Sequence, residues 1–149
     1  MSKACWRNLR SYKYQLVQEY GLDVPIRPEA DIVTGFVDLS AAGLLVIRKG
    51  YAWDGPSGPT IDTPSFMRGS LVHDALYQLM RLSRLDYKVH RATADDLLKR
   101  HCLEDGMWKI RASIVHVGVR TFGEKHARPG KDEQDEIHCS PEPQGAGPV

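Results

Sequence analysis

Cysteine is scarce in this chain: three among 149 residues, at Cys5, Cys102 and Cys139. An odd count at such separations excludes a sequence-local disulfide framework and a spaced zinc motif, and it fits a reducing compartment. Long apolar runs are lacking as well. No stretch approaches the roughly 18 apolar residues of a membrane span, and the start of the chain has no apolar signal core. The expectation is a protein that is cytoplasmic at synthesis, with no membrane span. An excess of charge of one sign is also missing. Lys and Arg number 20 against 19 Asp and Glu, a formal net charge of +1. No overall field therefore draws the chain to nucleic acid or to an anionic membrane. The basic cluster at Lys3, Arg7, Arg10 and Lys13 reads as a solvated terminus. No internal repeat, P-loop, dinucleotide fingerprint or Gly-x-Ser-x-Gly elbow is present. No His-x-x-x-His pair offers the spacing of a zinc hydrolase. No histidine precedes His73, where an HD-type phosphohydrolase requires a further ligand.

What is present is the composition of one globular domain, expected over 10–124. Residues 12–51 read as strands: "YKYQLVQEY" alternates in part, "DIVTGFVDL" is β-branched and aromatic, and "GLLVIRKGYAW" is an apolar run. Pro25, Pro28 and "SAAG" at 40–43 punctuate them. The short connections leave no room for crossover helices, so the sheet is expected to be antiparallel.

From Pro64 the period turns helical. Stepping about 100° per residue gathers Val72, Ala75, Leu76, Leu79 and Leu82 on one face. His73, Tyr77 and Met80 fall on its margin, and Asp74 points away. A second helix is expected from Thr93 to Asp105, with Gly106 as its C′ residue. Its buried stripe would be Ala94, Leu97, Leu98, His101 and Cys102, with Asp95 on the edge and Asp96 opposite. A third helix carries Ile110, Ile114, Val117 and Phe122 and stops at Gly123. The fold class is therefore α+β: a small antiparallel sheet, about three helices, then a tail over 125–149 whose low apolar content predicts disorder.

Between sheet and helices lies "GYAWDGPSGPTIDTPS", residues 50–65, with three glycines and three prolines. A loop of this length is uncommon unless it is functional. Its oxygen-rich texture suits a hard cation such as calcium, with Asp54, Gly55 and Gly58 as candidate ligands. Tyr51, Trp53 and Asp62 would form a binding loop. Its bland alternative is a proline-stiffened connection.

The adjacent His73 and Asp74 are the best candidates for chemistry. A general base needs an orienting partner, and Asp95 is the better of two aspartates. Asp96 already has a role in a capping box from Thr93 and a pair with Arg100, whereas Asp95 has only Lys99 four residues on. The bland alternative is a structural histidine.

Two resemblances extend this reading. Residues from about 43 to 123 resemble an uncharacterised family of small bacteriophage and prophage proteins, through "GYAWDGPSGP", "SLVHDALYQLMR", "RATADDLL" and "GVRTFG". This likeness implies phage or prophage origin and no activity. More distantly, "HDALY" followed by "AD" is similar to the core of calcium-dependent phospholipases of the parvovirus capsid type. The similarity implies that His73 activates water, Asp95 orients it, Tyr77 bonds Asp95, and Asp74 holds calcium with carbonyls near Gly55 to Gly58. Calcium would be the cofactor and a lipid or ester the substrate. The loop "WDGPSGP" departs from the Tyr-x-Gly-x-Gly of that family, and the preceding sheet lies outside its core.

The competing expectation is non-catalytic: a virion, assembly or host-interaction protein whose partners are phage or host proteins. His73, Asp74, Arg91 and Asp95 would then be a polar network fastening two helices to the loop.

Overall fold

The computed structural model describes residues 4–7, 12–55, 63–130 and 137–140. It divides into two compact units, one of residues 12–130 and one of residues 1–11 with 131–149. In the smaller unit, strand β1 (Ala4–Arg7) pairs antiparallel with strand β8 (Ile137–Ser140), and Cys5 stands opposite Cys139.

The larger unit is α+β, as expected. Strands β3 (Tyr20–Asp23), β4 (Ile32–Val33), β5 (Val37–Leu39) and β6 (Leu44–Ile47) form an antiparallel sheet in the order β3-β6-β5-β4. The β5–β6 hairpin turns through "SAAG", where Gly43 has φ +92° and a Cβ would stand 2.7 Å from the Val24 carbonyl oxygen. Only glycine fits there. Alternation sends Val37, Leu39, Leu45 and Ile47 inward, where they are fully buried with Val72, Ala75, Leu76, Leu79 and Met80 of the first helix. The short strands β2 (Tyr14–Gln15) and β7 (Ala52–Trp53) make a second antiparallel pair.

Helix α1 (Pro64–Arg81) begins with proline at its first turn, where no amide donor is needed. Helix α2 (Tyr87–Glu104) starts six residues earlier than expected. The Asp86 carboxylate caps it by accepting from the Lys88 amide at 2.9 Å. Thr93 is thus mid-helix, and Asp96 accepts from His116 at 2.7 Å instead of closing a capping box. Gly106 ends this helix with φ +95°, as expected. α1 and α2 pack closely at Gly69, where a Cβ would meet Leu98 Cδ1 at 3.0 Å and Cys102 Sγ at 3.1 Å.

Helix α3 (Lys109–Phe122) reverses the usual pattern. Its buried residues are Ala112 and Val115, while Ile110, Ile114, Val117 and Phe122, with Trp108 before them, are 61–84 % exposed. The expected boundary at 124 also moves. Helix α4 (Glu124–Ala127) follows Gly123, and Ala127 is fully buried in the main core. Parts of the expected tail are therefore ordered, in α4 and β8; the other tail positions from 131 on lie outside the described residues.

Candidate functional site

The three helices converge on one carboxylate. Asp95, on the inner face of α2, is 0 % exposed. Its Oδ1 accepts from His73 Nε2 at 2.7 Å and from the Tyr77 hydroxyl at 2.6 Å, both from α1. Its Oδ2 accepts from Arg120 of α3 at 3.1 Å, and the Arg91 guanidinium stands 3.8 Å away. His73 and Tyr77 lie four residues apart on α1, one helical turn, so both reach the same oxygen. Their rings lie against each other, tilted by 37°, with centroids 4.1 Å apart.

Arg91 completes the assembly. It donates to the Tyr77 hydroxyl at 3.3 Å and to the Val119 and Arg120 carbonyls at 2.7 and 2.6 Å. Those carbonyls lie in the last turn of α3, where backbone partners run out; the Val119 carbonyl also accepts from the Gly123 amide at 2.9 Å. Gly123 lets this helix end approach the site, because a Cβ there would stand 2.9 Å from the Tyr77 hydroxyl.

The expected trio of His73, Tyr77 and Asp95 is thus brought together, with Arg91 in the network. Arg120 was not anticipated. It lies 25 residues from Asp95 on an element whose packing face the apolar pattern misassigned, and no spacing rule identifies it.

Asp74 lies off the buried face, as its place on the wheel implies, with its side chain 36 % exposed. Its Oδ1 is nevertheless 3.9 Å from His73 Nδ1, an ion-pair separation beyond hydrogen-bonding range, so Nδ1 stands on the side of a partly exposed carboxylate.

These charges set the protonation of the site. Burial disfavours the imidazolium of His73, but Asp74 and Asp95 outweigh it and raise its pKa above the ordinary value. Burial likewise works against ionised Asp95, yet the donors from His73, Tyr77 and Arg120 hold its pKa below the usual carboxylate range. Burial and the Asp95 charge push the Tyr77 phenol upward, so it stays a neutral donor.

The loop residues behave differently. Tyr51 and Trp53 do not form an exposed binding surface. Both are buried in the main core, and the Trp53 indole donates to Ser70 Oγ at 3.2 Å. The cause is the β7 pairing, which brings Trp53 against a tilted Tyr14 ring at 5.6 Å, with Tyr51 stacked on it at 6.5 Å. Asp54 is exposed, and Gly55 is buried with φ +74°. Gly58 and Asp62 lie outside the described residues.

Calcium asks for roughly six to eight oxygen ligands. Among the described residues, no group of three or more His, Cys, Asp or Glu stands close enough to share a metal ion. No described helix is long and apolar enough to cross a membrane. No protein-family model, no curated protein and no solved structure matches the chain.

Proposed function

We propose that His73 is the water-activating base of a hydrolytic site, with Asp95 as the residue that orients it, in a protein of phage or prophage origin. The observation that supports this reading is the asymmetry of the imidazole. Nε2 is committed to a buried carboxylate at 2.7 Å, which places the ring proton there in the neutral form. Nδ1 is left as the acceptor, on the side of the partly exposed Asp74.

The chemistry follows from that tautomer. Nδ1 takes a proton from water as the oxygen attacks an ester carbonyl, and the imidazolium formed is balanced by Asp95. The proton then passes to the departing alkoxide, so water and ester give acid and alcohol. Tyr77 and the two arginines keep Asp95 ionised and fixed. An ester of lipid type and a calcium requirement enter through the phospholipase resemblance alone.

The test is acid release from phosphatidylglycerol vesicles and from a p-nitrophenyl ester, with calcium added and with calcium chelated. The wild-type chain should hydrolyse at least one of them, and His73→Gln should lose about 10²–10⁴-fold. A wild-type rate equal to the uncatalysed rate in every arm, or a His73→Gln variant as fast as wild type, rejects the reading.

A second reading, assembly without catalysis, is favoured by the outer face of α3. Ile110, Ile114 and Val117 recur at intervals of four and three residues, the spacing of a helix–helix seam. With Trp108 and Phe122 they expose apolar area on the order of 600 Å², near the low end of what each partner of a stable dimer buries. Arg111, His116 and Arg120 of this helix engage Thr63, Asp96 and Asp95 of the same chain, so Lys109 at its start is the one basic residue of α3 that borders the strip. That leaves a largely neutral strip, suited to a second copy of itself in isologous contact. Under this reading light scattering finds twice the chain mass, and Ile114→Glu restores the monomer. A wild-type chain that stays monomeric at high concentration rejects it.

A further inference from the structure

The chain holds two cysteines that the mechanism does not use and that strand register sets at opposing positions. In the β1–β8 ladder Ala4 opposes Ser140, Cys5 opposes Cys139, Trp6 opposes His138 and Arg7 opposes Ile137. Residues directly opposite in an antiparallel ladder share a face, with Cα atoms about 4.5 or 5.5 Å apart. Both separations fall within the roughly 4.4–6.8 Å seen between disulfide-bonded residues. The scattered placement of these cysteines offers no sequence-local disulfide framework, but strand register overrides sequence distance.

We infer that Cys5 and Cys139 form a reversible cross-strand disulfide that locks β1 to β8 when the protein meets oxidising conditions. Metal binding explains the pair less well. A tetrahedral site takes four ligands, and the next rung on the same face carries Arg7 and Ile137, neither of them a ligand. His138 falls on the opposite face by strand alternation.

The step balances by exchange with a small disulfide such as oxidised glutathione. One cysteine thiolate attacks a sulfur of that disulfide, releasing one small thiol and leaving a mixed disulfide. The opposing cysteine then displaces the second small thiol. Two protein thiols are oxidised, the small disulfide is reduced to two thiols, and a reducing glutathione pool reverses both steps. Cys102 does not compete: it is fully buried against α1, and burial pushes its thiol up to about 11.

The experiment is a thiol count on the full chain after equilibration with oxidised glutathione, removal of the reagent and denaturation. One reactive thiol is expected where the reduced chain shows three, and dithiothreitol should restore all three. Proteolytic mapping should recover a peptide linking Cys5 to Cys139 within a monomer, and Cys5→Ser should abolish that peptide. Three free thiols after oxidation, a link through Cys102, or linkage only between chains would overturn the inference.

Discussion

Replacing Asp95 by asparagine removes one charge and almost no volume, so the outcome reports the charge network itself. The amide oxygen can still accept from His73 and Tyr77, but the amide nitrogen then faces Arg120 and Arg91, donor against donor. His73 also loses the counter-charge that offsets its burial. Breaking a buried pair from one side costs about 3–5 kcal/mol, which for a chain of this size lowers the melting temperature by roughly 10–15 °C. Asp96 provides the control. It too bonds a histidine at 2.7 Å, but its side chain is 71 % exposed, and an exposed pair contributes about 1 kcal/mol or less. Thermal denaturation of Asp95→Asn and Asp96→Asn near pH 6 should therefore separate two aspartates adjacent in sequence by about 3 kcal/mol. Equal losses would refute the view that burial gives this network its weight.

The pH profile has a definite sign. The folded pKa of His73 lies above its ordinary 6.5, so its stabilisation is complete below that value and is lost as pH rises through the folded pKa. Asp95 sits below its ordinary 3.8, so its contribution is complete above that value and is lost as pH falls through the lower folded one. Denaturant midpoints should therefore peak between weakly acid and neutral pH, while any hydrolysis rises on the alkaline side as His73 loses its proton. A midpoint that climbs steadily above pH 7 would contradict the assignment. Gly123→Ala forces a methyl against the Tyr77 hydroxyl and the Val119 carbonyl, and urea titration should find a loss of about 1–3 kcal/mol. An unchanged midpoint would show that α3 does not close on Tyr77. Ser70→Ala leaves the buried Trp53 indole without its acceptor and should cost about 1–2 kcal/mol, with a shift in tryptophan emission. Neither change appearing would mean that the β7 pairing does not rest on that bond.

Much of the site was legible because helical periodicity carries real geometry. One turn separates His73 from Tyr77, and about 100° separates Asp95 from Asp96 on α2, so the wheel alone turned Asp95 inward, although the capping box that supported the same choice did not form. The position of Gly106 was legible for a similar reason, since helix ends obey local rules. Where several partners compete, local rules mislead. Asp86, not Thr93, supplied the cap, because the helix extends as far as packing and capping allow. The apolar positions of α3 pointed outward because the core had already been filled by the sheet and α1, leaving Ala112 and Val115 to make the contact. Trp53 and Tyr51 looked like a binding surface until strand pairing carried them into the core.

The sequence by itself determined the α+β class, the antiparallel sense of the sheet, the inward turn of Asp95 and the common face of His73 and Tyr77. These depend on periods of two and 3.6 residues and on short connections, which act within a few residues. Tertiary structure alone decided that Arg120 would hold the second oxygen of Asp95 and that strand register would set Cys5 opposite Cys139. Arg120 and Cys139 lie far along the chain from the residues they meet, and only the packing and pairing of whole elements places them within reach.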